Sequence, residues 1–127
     1  MRKNITTISL SALLVAGMTL ALMAGASAPD HRITLVARDM TFYLLESEIA
    51  NPTLMLAPGE EVRLTLINRD QGIDHDFTVA TLGLASEVLP GNGSSITMSF
   101  RAPARAGRHE YSCQLHGQMM KGTLLVQ

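Results

Sequence analysis

A single cysteine in 127 residues excludes any disulfide within the chain. Outside its first residues the chain has no helix-length apolar period, which argues against a helical bundle or an α/β fold. It lacks a glycine-rich loop of Walker or Rossmann spacing, so nucleotide chemistry has no foothold. Nothing repeats at a fixed period and no segment is of low complexity. There is no basic excess either: 10 Lys and Arg stand against 11 Asp and Glu, and nucleic acid is not an expected partner.

What is present begins with an address. Arg2 and Lys3 precede Ile5 to Ala26, a run apolar apart from small hydroxylated residues, which is the profile of an export signal. Residues 1–26 are therefore read as a signal peptide and residues 27–127 as one folded domain, periplasmic or secreted. Ala24-Gly25-Ala26 and Ala26-Ser27-Ala28 both suit a signal peptidase. Cleavage after Ala26 is preferred because the second cut would leave Pro29 just beyond it. The alternative is an uncleaved anchor, since the run approaches the roughly 20 residues that span a bilayer. No cysteine lies near the junction, which excludes a lipid-anchored lipoprotein. Losing Arg2 and Lys3 leaves the domain more acidic than the whole chain's −1. A lone cysteine in an exported chain is a free thiol open to oxidation or a thiolate held by something.

The remaining chain reads as short strands between turn signals. Ile33 to Ala37 and Met40 to Leu45 are rich in β-formers and end at Asn51-Pro52. Ala57-Pro58-Gly59-Glu60 has the central Pro-Gly of a type II turn. It leads into Glu61 to Asn68, where Val62, Leu64 and Leu66 share one face. Arg69 to Asp74 is a polar loop. Asp76 to Ala80 is a short strand with His75 at its leading edge. Thr81 to Ser94 holds too many breakers for a long helix and is a connection, with a short turn around Leu84 to Val88. Ser95 to Phe100 alternates Ile96, Met98 and Phe100 inward. Arg108 to Ser112 and Gly122 to Val126 are the last strands. Seven or eight strands of this kind imply an all-β, two-sheet antiparallel Greek-key sandwich.

Between the last two strands lies the most informative stretch, within EYSCQLHGQMMKGTLLV from Glu110 to Val126. Cys113 stands three residues before His116, and Met119 and Met120 follow in the same loop. Thiolate, imidazole and thioether are donors that copper prefers, and one more imidazole completes a set of two nitrogens and a sulfur. His75 is the natural candidate. A lone buried cysteine is more often a small hydrophobe, and a lone histidine at a strand end is more often solvated. Donors that reinforce one another in a single short loop favour metal.

Other residues keep plainer readings. His31 is expected in solvent, and His109 and Tyr111 share the Cys113 face as packing or supporting residues. Met40, Met55 and Met98 fill space within or beside apolar strands. Glu46 and Glu48 belong to a solvated turn rather than to an acid pair.

The chain resembles the cupredoxins, the small blue copper proteins, over essentially all of residues 27–127. APGEEVRLTLIN resembles their strand entered through a Pro-Gly turn, HDF their first histidine motif, and YSCQLHGQMMKGTL their ligand loop. The resemblance implies one copper ion held by His75, Cys113 and His116 with a weak axial methionine. It favours Met120 over Met119, because in azurin-like loops that methionine directly precedes a Lys-Gly-Thr run such as 121–123. The Cys-to-His gap is like that of plastocyanin and amicyanin, and the His-to-Met gap like that of azurin, so no subfamily function carries over. Many members have Asn after the first histidine where this chain has Asp76, so the tie that Asn makes to the cysteine loop is either lost or remade by a carboxylate. A binuclear site would need a second loop cysteine.

Such a site implies a carrier of single electrons between redox proteins, not an enzyme. Contact would be small and transient around His116, with Leu115, Gly117, Met119, Gly72 and Ile73 as an apolar rim. A membrane would be touched only through an uncleaved signal. Copper storage or delivery, and a metal-free interaction domain, are the alternatives. Multicopper chemistry would need more than four histidines.

Overall fold

Strict alternation in β4, Glu61–Asn68, sets the architecture: Val62, Leu64, Leu66 and Asn68 are buried while Arg63 is exposed. A half-buried strand of this pattern needs neighbours on both edges and a second layer over its apolar face. The computed structural model describes residues 30–127, and the expected signal segment 1–26 lies outside them. In it β4 lies between β1 (Asp30–Arg38) and β7 (Ser95–Arg101), with β2 (Thr41–Leu44) beyond β1, in a four-stranded sheet. The facing sheet has the order β3 (Leu54–Leu56), β9 (Lys121–Val126), β8 (Gly107–Ser112), β5 (Thr78–Val79), β6 (Leu84–Ala85).

The all-β two-sheet sandwich is as expected, but its sheets are mixed rather than wholly antiparallel. β1 runs parallel to β4 and β3 parallel to β9. Parallel neighbours require a crossover, and here the chain between β1 and β4 passes through β2 and then through β3 in the other sheet. Strand β3 carries no signal of its own in the sequence, because its three residues are too few for a period to declare itself. The expected strand 76–80 shortens to Thr78–Val79, followed by a 3-10 turn at Ala80–Leu82 and the short β6.

Three aromatic rings join the layers at one end. Phe42, Phe77 and Tyr111 are fully buried. Phe77 stacks on Tyr111 at 5.5 Å, and Phe42 meets both edge-on at 6.3 and 5.7 Å. Such pairs add about 0.5–1.5 kcal/mol beyond their buried area. Tyr111 pairs across the ladder with Gly122, and a Cβ at that glycine would run into the phenol ring. The phenol hydroxyl donates to the Pro52 carbonyl. Glycine in the Lys-Gly-Thr run is thus required by packing. The cluster forms a floor two residues from His75 on one side and two from Cys113 on the other.

Two turns complete the frame. The Pro58-Gly59 turn is as read, with Gly59 at φ +72° and the Glu60 N–H donating to the Ala57 carbonyl at 3.2 Å. The β1–β2 hairpin closes through Asp39 and Met40, both at positive φ, 52° and 55°. Positive φ at both central positions matches the twist of a two-residue hairpin and ordinarily calls for Asn-Gly. Met40 therefore belongs to a turn and not to the expected strand 40–45.

Candidate metal centre

The ligand loop closes on itself before any metal is considered. Ser112 pairs with Lys121 at the mouth of the β8–β9 ladder, and just beyond it the Cys113 N–H donates to the Met120 carbonyl at 2.9 Å. The Met119 and Met120 N–H groups both donate to the His116 carbonyl at 3.0 Å, and the His116 N–H donates to that of Cys113 at 3.2 Å. These bonds satisfy the backbone of a loop whose ends are buried. The Asn51 side chain adds an outside tie, donating to the Met119 carbonyl at 2.9 Å.

His75 reaches the same point from a different direction. Its backbone exchanges two hydrogen bonds with Leu89, at 3.0 and 2.7 Å, as an isolated bridge. Its Nδ1 lies 3.8 Å from Cys113 Sγ, and His116 Nδ1 lies 3.6 Å from the same sulfur. The donor atoms of all three residues fall within 4.8 Å of one another, and among the described residues they form the one such cluster of His, Cys and carboxylate donors. The rings meet edge to face with centroids 5.1 Å apart. His75 and Cys113 are wholly buried, and His116 is half-buried.

Behind His75 stands Asp70, a residue that the sequence did not single out. Asp70 Oδ2 lies 2.8 Å from His75 Nε2 and accepts from the Met40 N–H at 3.0 Å, while Oδ1 accepts from the Asp39 N–H at 2.6 Å. Burial opposes ionisation of this carboxyl, but the donors at Met40, His75 and Asp39 outweigh it and hold the group below the usual carboxylate range. An ionised carboxylate only accepts. Both oxygens already accept backbone N–H groups, so the contact suits a proton on His75 Nε2 with Nδ1 toward the sulfur.

Asp76 does what its position asks. Its Oδ1 accepts from the Gln114 N–H at 2.7 Å, so a carboxylate ties this segment to the cysteine loop. Burial pushes the Cys113 thiol up. The Asp76 and His116 N–H groups pull it down, and the Asp76 carboxylate pushes it up further. A metal held here would take Cys113 as the thiolate, so its binding would release the thiol proton.

The donor set fits a single metal ion. Nitrogen and sulfur donors sit about 2.0–2.3 Å from an ion of this size, so three of them around one centre lie roughly 3.5–4 Å apart. The two sulfur-to-nitrogen distances agree. A thiolate with two imidazoles is the donor set of blue copper, and a thioether completes it. Met120 in this loop is fully buried, whereas Met119 is 54% exposed.

The other candidates take their places elsewhere. His109 Nδ1 meets the Thr81 hydroxyl at 2.9 Å, and His31 pairs with Glu60 at 3.0 Å. Glu48 pairs with Arg38 on the surface. A shallow hollow of about 420 Å³ over the loop is lined by residues 114–119; Gly72 and Ile73 do not line it.

Comparison with known proteins agrees with this geometry. A family model of the cupredoxin-like domain matches residues 10–126, a span that begins inside the segment read as an export signal. No curated protein matches the chain by sequence. Rusticyanin from Thiobacillus ferrooxidans, a copper protein, superposes with a TM-score of 0.58 at 21% identity over 80% of this chain and 79% of that one. Reduced rusticyanin gives 0.60 at 22% identity over 80% and 81%. Dithionite-reduced auracyanin from the photosynthetic bacterium Roseiflexus castenholzii gives 0.61 at 17% over 76% and 96%. At these identities the likeness is one of fold.

Proposed function

The chain belongs to the cupredoxin-like domain family, and on that premise we propose that it is a mononuclear blue copper protein carrying single electrons between redox proteins outside the cytoplasm. The observation that carries the reading is the triangle of Cys113 Sγ with the Nδ1 atoms of His75 and His116, 3.8 and 3.6 Å from the sulfur. Copper held there supplies a one-electron Cu(I)/Cu(II) couple. His75, Cys113 and His116 give the strong donors and Met120 the weak one, which leaves no position for substrate; the chain is a carrier rather than an enzyme.

Cys113 and His75 exclude water from one side of the site. His116 is half-buried, and its ring edge is the exit for an electron. Leu115 and Met119, 52% and 54% exposed, flank it and give a partner a small apolar footing of the transient kind. Residues 1–26 act as the export signal and residues 27–127 form the working domain in the periplasm or beyond.

Visible and electron paramagnetic resonance spectra after Cu(II) addition test this reading. The wild-type domain is expected to bind one copper with an intense visible band, and Cys113→Ser to lose that band, because the charge transfer needs a thiolate. An intensely coloured serine variant overturns the assignment. Tight Cu(I) uptake without the band points to copper storage or delivery, and no uptake points to a metal-free domain. Met120→Leu is expected to raise the reduction potential and alter the spectrum, while Met119→Leu leaves the spectrum nearly unchanged and at most alters the rate of exchange with a partner. The reverse pattern moves the weak donor to Met119.

A further inference from the structure

We infer that Asp70 is a positioning residue of the metal centre, holding the His75 ring in the one tautomer and direction that present Nδ1 to Cys113. The inference rests on reading the site as a copper site. A neutral imidazole carries its proton on either nitrogen, and the wrong choice at His75 would aim an N–H at the sulfur 3.8 Å away. The wholly buried ring has no solvent partner to settle the matter. Asp70 settles it by accepting from Nε2 at 2.8 Å.

Asp70 is itself fixed by four hydrogen bonds, three to its carboxylate and one from its backbone. Its oxygens take the N–H groups of Asp39 and Met40 as well as the ring, and its own N–H donates to Asn68 Oδ1 at 3.0 Å. Asn68 is buried and anchored to the Ile73 and Leu89 carbonyls at 2.8 and 3.1 Å, and the Leu89 carbonyl also receives the His75 N–H. The ring and its acceptor thus share one rigid base. The Asp70 side chain is only 11% exposed, so water competes weakly for it. An anion behind a ligating imidazole raises its donor strength and favours the more highly charged metal.

The test uses the metal-free and copper-loaded protein side by side. In the metal-free wild type, ¹⁵N ring shifts should show His75 protonated at Nε2, with a slowly exchanging proton. Asp70→Asn keeps the size of the side chain but offers one acceptor oxygen to three donors and can turn its amide N–H toward Nε2. It should shift the ring population toward Nδ1–H and lower Cu(II) affinity tenfold or more. It should also raise the reduction potential by at least a tenfold change in the one-electron equilibrium, about 59 mV. Asp39→Asn removes an equal charge from an 82% exposed side chain in the same region and should leave all three readings unchanged. A wild-type proton on Nδ1 overturns the inference, as does an Asp70→Asn protein whose tautomer and potential match the wild type. If Asp70→Asn does not fold, the wild-type ring shifts decide alone. If the ring carries Nε2–H and no copper binds, the copper reading falls and the positioning of the ring stands.

Discussion

Two carboxylates in this sandwich do the same structural job at opposite ends of β4, and only one of them serves the site. At the Glu61 end, Glu60 closes the Pro58-Gly59 turn by accepting from the Ala57 N–H at 2.8 Å, and it pairs with His31. At the Asn68 end, about 25 Å away along the strand, Asp70 closes the Asp39-Met40 turn and pairs with His75. Glu60 sits inside the turn that it holds, which Pro and Gly already favour. Asp70 is some 30 residues from a turn that its own residues favour only in part, since Asp39 and the Thr41 hydroxyl suit it but Met at φ 55° is a poor occupant of the left-handed region. The first turn stands on its own residues. The second depends on the same carboxylate as the metal centre, so the hairpin and the site are secured together.

The largest break in this symmetry comes from deleting each carboxylate. Asp70→Ala strands two part-buried donors, the Met40 N–H and His75 Nε2, and an exposed one at Asp39; each part-buried loss costs about 1–3 kcal/mol, in part relieved by water. A loss of roughly 2–4 kcal/mol in metal-free stability is expected by denaturant titration. Glu60→Ala leaves a turn that Pro and Gly still favour, and should cost about 1 kcal/mol. Equal losses would mean that the two turns are held alike.

The turns themselves should respond with opposite sign. Gly59→Ala places a Cβ at φ +72° and should destabilise by about 1 kcal/mol. Met40→Gly relieves a left-handed strain of about 1–2 kcal/mol, offset by about 0.5–1 kcal/mol of backbone entropy. It should be neutral or slightly stabilising in thermal melts. A clear loss at Met40→Gly would show that the methionine side chain, and not the backbone, secures that turn.

This contrast also explains what could be read in advance. The alternation of β4, the Pro-Gly turn and the Cys113 to Met120 loop are local patterns, and each carries its own signal in adjacent residues. The structure brings His75 to Cys113 and His116; a histidine at a strand end is ordinarily solvated, and it is the loop's lack of a second nearby imidazole that points to it. Asp70 looks no different from Asp74 in the run RDQGID, and only the position of the Asp39-Met40 turn separates them. Asn51 holds the Met119 carbonyl from across the fold, and the Pro52 carbonyl takes the Tyr111 hydroxyl. Both contacts follow from β3 pairing in parallel with β9, a crossover that no short-range pattern announces.

The smallest effect separates the two ends by acid. Burial opposes ionisation of Glu60, but the Ala57 N–H and His31 outweigh it and hold the carboxyl below its ordinary value. A carboxyl depressed in the folded state stabilises the fold above its unfolded pKa of about 4.3, and that contribution is lost as pH falls through the lower folded value. Glu60→Gln removes the group and should flatten the fall in metal-free stability below about pH 4, while lowering stability modestly at neutral pH. The copper spectrum and reduction potential of Glu60→Gln should match the wild type, because its turn lies a full strand length from the centre and screening at 0.15 M ionic strength acts over about 8 Å. A shifted potential in this variant would mean that the far turn is coupled to the site through β4, and the separation drawn between the two carboxylates would fail.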